Sequence, residues 1–240
     1  MLLPTQKVKA AYTSPRTMVL YGKVKVGKTE ALSKLDNCLI VDLERGTDMI
    51  DALKVSCENL KEFSEICKLI ETSIIELNKD NKTGIKKYPY KFLAIDTVTK
   101  LEEWCETLAI SKYMATPIGK NFKGESILEL PNGAGYFWLR LAFKEVQDRI
   151  EKLAPYIIYI GHIKDKMVEK AGKEVSSSDI DLTGKIKTIL CQSADAVGYI
   201  YRKSDGTYVS FKSSDEIACG SRCEHLKGQD IKLEWNDIYQ

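Results

Sequence analysis

Four short apolar runs, Met18-Val19-Leu20-Tyr21, Cys38-Leu39-Ile40-Val41, Phe92-Leu93-Ala94-Ile95 and Tyr156-Ile157-Ile158-Tyr159-Ile160, are unbroken by polar residues. Strands buried on both faces carry this pattern. Between them the spacing changes to helical. It predicts a short helix over Lys28 to Leu35, a helix from about Thr99 to Tyr113 and a long one from Tyr136 to Leu153 that Pro155 ends. From Asp48 to Leu77 apolar residues recur at Ile50, Leu53, Leu60, Phe63, Ile66, Leu69, Ile70 and Ile74, predicting two helices broken near Ser56 to Asn59. Near the end, Ala196 to Tyr201 and Tyr208 to Phe211 flank Ser204-Asp205-Gly206, a hairpin signature. The remaining stretches lack a period. Met1 to Arg16 reads as an arm, edge strand or oligomer contact, Asn78 to Lys91 as an exposed lysine-rich loop, Ala115 to Gly135 as an excursion and Lys164 to Thr183 as a mobile loop. No internal repeat is visible. Strands alternating with helices predict an α/β domain over residues 17–240, with a mostly parallel sheet covered on both faces and a terminal antiparallel hairpin.

At 240 residues the chain suffices for one such domain. The 36 Lys and Arg against 34 Asp and Glu give a net charge of +2, so any polyanion site must be local. Seven scattered cysteines and the lack of a leader-like apolar segment predict a soluble protein of the reducing cytoplasm. Cys219, Cys223 and His225 fall close together, but three ligands in one turn with no second pair fit free cysteines better than a structural metal site.

The chemistry begins at Gly22. The run GKVKVGKT, Gly22 to Thr29, is a complete G-x-x-x-x-G-K-T phosphate loop between a predicted strand and a predicted helix. The strand-loop-helix context turns backbone N–H groups and the helix dipole toward a phosphate chain. Gly22 and Gly27 permit the tight backbone, with Lys23, Val24, Lys25 and Val26 between them; Lys28 reaches the β- and γ-phosphates, and Thr29 offers its hydroxyl to Mg²⁺, with Glu30 next in line. In open sheets the ligand lies beyond the carboxyl ends of the strands, where Asp42, Glu44, Asp96 and His162 fall. Asp96 closes its strand as an acid that holds Mg²⁺ directly or through water. Glu44 is a candidate general base for the attacking water, with Asp42 as rival, and His162 a candidate hydrogen-bond donor to the γ-phosphate.

These motifs in order, GKVKVGKT, CLIVDLERG, FLAIDTVTKLEEW, YIIYIGHIKDK and SADAVGYIYR, resemble the single-domain RecA-like ATPases encoded by many bacteriophages, the Sak group associated with single-strand annealing. The resemblance spans about Thr17 to Leu226. It implies a three-layer RecA-like P-loop fold that binds ATP and Mg²⁺ through Lys28, Thr29 and Asp96, with Glu44 as the acid after the second strand and His162 as the γ-phosphate sensor. It implies a homo-oligomer whose neighbouring subunit supplies a cation, Arg222 before Arg202 or Lys203. It implies single-stranded DNA at the loop Lys164 to Thr183, an accessory single-strand-binding protein, and a role in phage recombination in the host cytoplasm. Lys164, Lys166, Lys170 and Lys173 are the phosphate-contact candidates there, diluted by Asp165, Glu169 and Glu174. The denser group Lys79, Lys82, Lys86, Lys87 and Lys91 precedes the Asp96 strand and falls at the opposite edge of the sheet.

Lys23, at the second loop position, is also where ParA- and MinD-like ATPases carry a lysine that crosses a dimer interface. The alternatives are therefore an ATP-switched dimer and a nucleotide-binding assembly module with little turnover.

Overall fold

The computed structural model describes Leu3 and residues 5–170, 173–214 and 217–240, with backbone alone over 165–170 and 173–177. The elements run β1 (Thr17–Gly22), α1 (Lys28–Ser33), β2 (Cys38–Asp42), β3 (Lys54–Ser56), α2 (Leu60–Asn78), β4 (Phe92–Asp96), α3 (Val98–Met114), α4 (Gly135–Ile150), β5 (Tyr156–Gly161), β6 (Ile163–Lys170), β7 (Lys173–Ile180), α5 (Gly184–Ser193), β8 (Ala196–Lys203), β9 (Gly206–Ser210), β10 (Gly220–Ser221), β11 (Asp230–Lys232) and α6 (Trp235–Ile238). The main sheet has the order β11-β9-β8-β1-β5-β4-β2-β3, with β10 paired to β8. From β8 to β3 neighbours are parallel, whereas β9, β10 and β11 join antiparallel. This is the three-layer α/β architecture with a mostly parallel sheet expected from the sequence, terminal hairpin included.

The period of two along each apolar run separates the layers. Val19, Tyr21, Leu39, Val41, Leu93, Ile95, Ile157 and Tyr159 face one way, into a core with α2, α3, α4 and α5. Their alternates Met18, Leu20, Ile40, Ala94, Ile158 and Ile160 face the other way, against Leu32 and Leu35 near α1 and Ile238 of α6. Both faces being dry explains why no polar residue interrupts the runs. β1 is entirely buried, and at its end the chain passes so close to β8 that a Cβ on Gly22 would sit 2.3 Å from the Ile200 carbonyl oxygen.

Three expectations change. Asp48 to Ser56 is not a helix: the segment makes turns and then the short edge strand β3, paired with β2. Leu53, which supplied part of the helical spacing, is 54% exposed. Within the stretch read as a loop, Lys164 to Thr183, the strands β6 and β7 pair antiparallel as a two-stranded sheet of their own. The helix α5 follows it, seated by buried Ile186 and Leu190. In the N-terminal arm, Ser14 and Pro15 are buried, and the Ser14 hydroxyl donates to the Gln240 carbonyl at 3.0 Å. Among the described residues no helix is long and apolar enough to cross a membrane.

Candidate functional site

The phosphate loop leaves β1 at Gly22 and enters α1 at Lys28, with Gly27 at φ 97° making the left-handed turn between them. Ala31 N–H donates to the Gly27 carbonyl at 2.9 Å, closing the first turn. Lys28 is folded into the loop, and its Nζ donates to the carbonyls of Gly22 and Lys23, both at 2.9 Å. Burial lowers the pKa of Lys28, opposed by the negative charges of Asp96 and Glu44. Lys23, Val24 and Lys25 are exposed on the rim, while Val26 is buried beneath it.

β4 lies one strand removed from β1, across β5, and aims Asp96 at the start of α1. Thr29 Oγ1 donates to Asp96 Oδ2 at 2.6 Å. Asp96 is buried, and desolvation raises its pKa, aided by Asp42 and Glu44 and opposed by the Thr29 hydrogen bond and by Lys28. A hydroxyl and a carboxylate oxygen at the mouth of a phosphate loop fit Mg²⁺, a hard cation that takes one or two protein oxygens and fills its shell with water and phosphate. A cation there would also offset the burial, and the nearby Asp42 and Glu44 charges, that raise the Asp96 pKa. Among the described residues no group of three or more His, Cys, Asp and Glu could hold a metal, and His225 is engaged by the Ile238 carbonyl at 3.0 Å.

The two acids after β2 differ in their surroundings. Asp42 is 1% exposed, and its carboxylate accepts from the backbone N–H groups of Glu44, Gly46 and Thr47 and from the Thr47 hydroxyl, at 3.0, 3.2, 2.8 and 2.6 Å. Burial alone would raise its pKa, but those hydrogen bonds outweigh it and lower it. Asp42 thus shapes the turn that carries Glu44. Glu44 accepts from the Thr97 hydroxyl at 2.7 Å and meets His162 Nε2 at 2.9 Å. The His162 hydrogen bond is the main cause of the lowered Glu44 pKa, and Glu44 in turn raises that of His162. His162 follows β5 directly, and its backbone N–H donates to the Thr99 hydroxyl at 3.3 Å. The Asp96-Thr97 peptide is cis.

Lys28, Thr29, Glu30, Glu44, Asp96 and His162 line one cleft of about 390 Å³. Arg202, from β8, lines it too. Arg222 is not brought there: it sits beside Ser221, which pairs with Ala196 at the first residue of β8, and its guanidinium meets the Gln192 carbonyl and, at 3.7 Å, Asp195. That is the opposite end of the strands from the phosphate loop. Lys164 is exposed and 3.6 Å from Asp181; the side chains of Asp165, Lys166, Glu169, Lys170, Lys173 and Glu174 lie outside the described residues. Sequence reasoning missed Thr97 and Thr47. Both are common hydroxyl residues: Thr97 meets Glu44 only once β2 and β4 pair side by side, and Thr47 meets Asp42 only through the turn that follows β2.

Residues 14–223 match the AAA domain family. The chain belongs to that family. Membership together with the intact loop makes it a P-loop NTPase domain. No curated protein matches it. Among solved structures, one described as "Crystal structure of the RadB recombinase" is similar over 91% of this chain and 86% of that chain, at 10% identity and a TM-score of 0.44. The fold and the site stand on their own geometry beside so loose a likeness. The family match ends before β11 and α6.

Proposed function

We propose that this chain binds ATP with Mg²⁺ and hydrolyses it, Glu44 acting as general base, and that turnover serves single-stranded DNA in phage recombination or strand annealing. The observation that supports it most is the presence of a tethered carboxylate, Glu44, on the same cleft as Lys28 and the Thr29-Asp96 pair. Thr97 and His162 hold that carboxylate at fixed distance, and the lowered pKa keeps it ionised and able to take a proton from water. In the bound state Lys28 exchanges its two loop carbonyls for phosphate oxygens. Thr29 and Asp96 are the groups that would hold Mg²⁺, which supplies charge neutralisation for the phosphates. Water attacks the γ-phosphorus in line, Glu44 accepts its proton, the bond to the bridging oxygen breaks, and ADP leaves with that electron pair. His162 shares its Nε2 between Glu44 and the γ-phosphate, so loss of that phosphate returns it to Glu44.

The DNA half of the reading rests on the resemblance to phage RecA-like ATPases and on the lysines of β6 and β7. So does a homo-oligomer in which Arg222, remote from its own cleft, reaches the cleft of a neighbour, with a single-strand-binding protein as a further partner. An ATP-switched dimer is the second reading, favoured by the exposure of Lys23 on the loop rim. Glu44→Gln tests the hydrolytic core. It should leave ATP affinity within about threefold and lower turnover by roughly 10²- to 10⁴-fold, measured by calorimetry and phosphate release; unchanged turnover would remove Glu44 from the base role.

A further inference from the structure

A second cleft, of about 420 Å³, opens beside the phosphate cleft and shares Gly27, Glu30 and Arg202 with it. Its walls are α1 on one side, the β8-β9 turn on another, and the segment from β11 into α6 on the third, with Leu233, Trp235 and Asn236 among the lining residues. The third wall is built firmly. Leu233 N–H donates to the Thr207 carbonyl at 2.9 Å, and the Trp235 indole N–H donates to the Ala31 carbonyl of α1 at 2.7 Å. Trp235 also stacks on Tyr239, ring centroids 6.1 Å apart and planes 28° apart. This wall lies beyond the family match, which ends at residue 223.

We propose that this second cleft is the nucleoside site, and that the C-terminal segment Leu233 to Asn236 recognises the base and ribose of the bound triphosphate. The inference rests on the triphosphate reading of the loop and adds where the rest of the ligand goes. The loop wraps the phosphates, and the first turn of α1 is where the chain of phosphates must pass on to the ribose. Glu30, the residue after Thr29, lies on both clefts, so the two meet at that point. The volume falls in the range of roughly 300–1,000 Å³ typical of small-molecule sites. The lining mixes an indole and a leucine with carboxylates, an amide and a guanidinium, which suits a flat base edged with polar groups and a hydroxylated sugar. The hydrogen bond to Ala31 holds the indole in place before any ligand arrives.

Inorganic tripolyphosphate separates this site from the loop. In the native chain, ATP should bind at least about tenfold more tightly than tripolyphosphate, the scale of one base-aromatic contact. Trp235→Ala should bring the two affinities together by lowering that for ATP alone, and retained tripolyphosphate binding certifies a folded loop. Asn236→Ala, at an exposed position, serves in case loss of the Ala31 bond unfolds the first variant. A readout without substitution is the indole N–H resonance of Trp235 in the native chain, assigned with Trp235→Phe: it should move on adding ATP and stay in place with tripolyphosphate. Equal affinities in the native chain, or a Trp235 resonance indifferent to ATP that does bind, would overturn the nucleoside assignment while leaving the loop intact. Failure of both ligands to bind the native chain would overturn the loop reading and the inference with it.

Discussion

Three carboxylates meet at the ends of β2 and β4, and their partners divide the labour. Asp42 spends its oxygens on four donors within its own turn, so Asp42→Ala should strand three backbone N–H groups and cost roughly 2–4 kcal/mol of folding stability, read as a fall in denaturation midpoint. Glu44 and His162 form a pair whose pKa values move apart, Glu44 down and His162 up. A raised His162 pKa contributes stability that is full below the unfolded value of about 6.5 and is lost as pH rises through the folded value. A lowered Glu44 pKa contributes stability present above the unfolded value of about 4.3 and lost as pH falls through the folded one. The pair is therefore strongest between those unfolded values, in mildly acidic solution. Nuclear magnetic resonance of the nucleotide-free chain should give His162 a pKa above the ordinary histidine value, and Glu44→Gln should bring it down; a His162 titration unaffected by Glu44→Gln would dissolve the pair.

At the scale of elements, the strands of the parallel sheet were legible because burial on both faces leaves no polar residue to obscure them. The four apolar runs begin and end where β1, β2, β4 and β5 do, within a residue or so. Asp48 to Ser56 misled because Ile50 and Leu53 continue the spacing of the helix that follows, although Leu53 faces solvent. What fixes that segment is polar: Lys54 Nζ donates to the Thr47 and Ile50 carbonyls, and Thr47 is tied to Asp42. The β6-β7 pair gave no signal because it forms a two-stranded sheet of its own rather than a strand of the doubly covered main sheet. The helix after it rests on two buried positions, Ile186 and Leu190, too few to announce a period. The hairpin also carries an expectation. Replacing Lys166, Lys170 and Lys173 with Ala should weaken single-stranded DNA binding and flatten its dependence on log salt by about 2 units of slope, at ~0.7 for each phosphate no longer neutralised, in fluorescence anisotropy across a salt series.

In the whole molecule, the order of β8, β1, β5, β4 and β2 gathers the loop, Asp96, Glu44 and His162 from distant parts of the sequence at one edge of the sheet. The motif, its two acids and the histidine were readable because each follows an apolar strand. Trp235 was not, because its approach to α1 depends on the antiparallel additions β9 and β11 folding back past β8; Arg202, read as a cation for a neighbour's cleft, lines the cleft of its own chain. Arg222 lies at the far edge of the same sheet, which ties its proposed role to assembly. If it completes a neighbour's cleft, turnover per chain should rise with protein concentration, and Arg222→Ala should lower turnover by about 10-fold or more while sparing ATP affinity; turnover proportional to enzyme at every concentration, and indifferent to Arg222→Ala, would leave the cleft complete within one chain. The most direct test of the account is steady-state ATP hydrolysis at low salt, with and without single-stranded DNA, using Lys28→Ala as the blank. The account predicts Mg²⁺-dependent turnover that DNA stimulates and that Lys28→Ala abolishes; turnover that survives Lys28→Ala, or that DNA leaves unchanged, would contradict it.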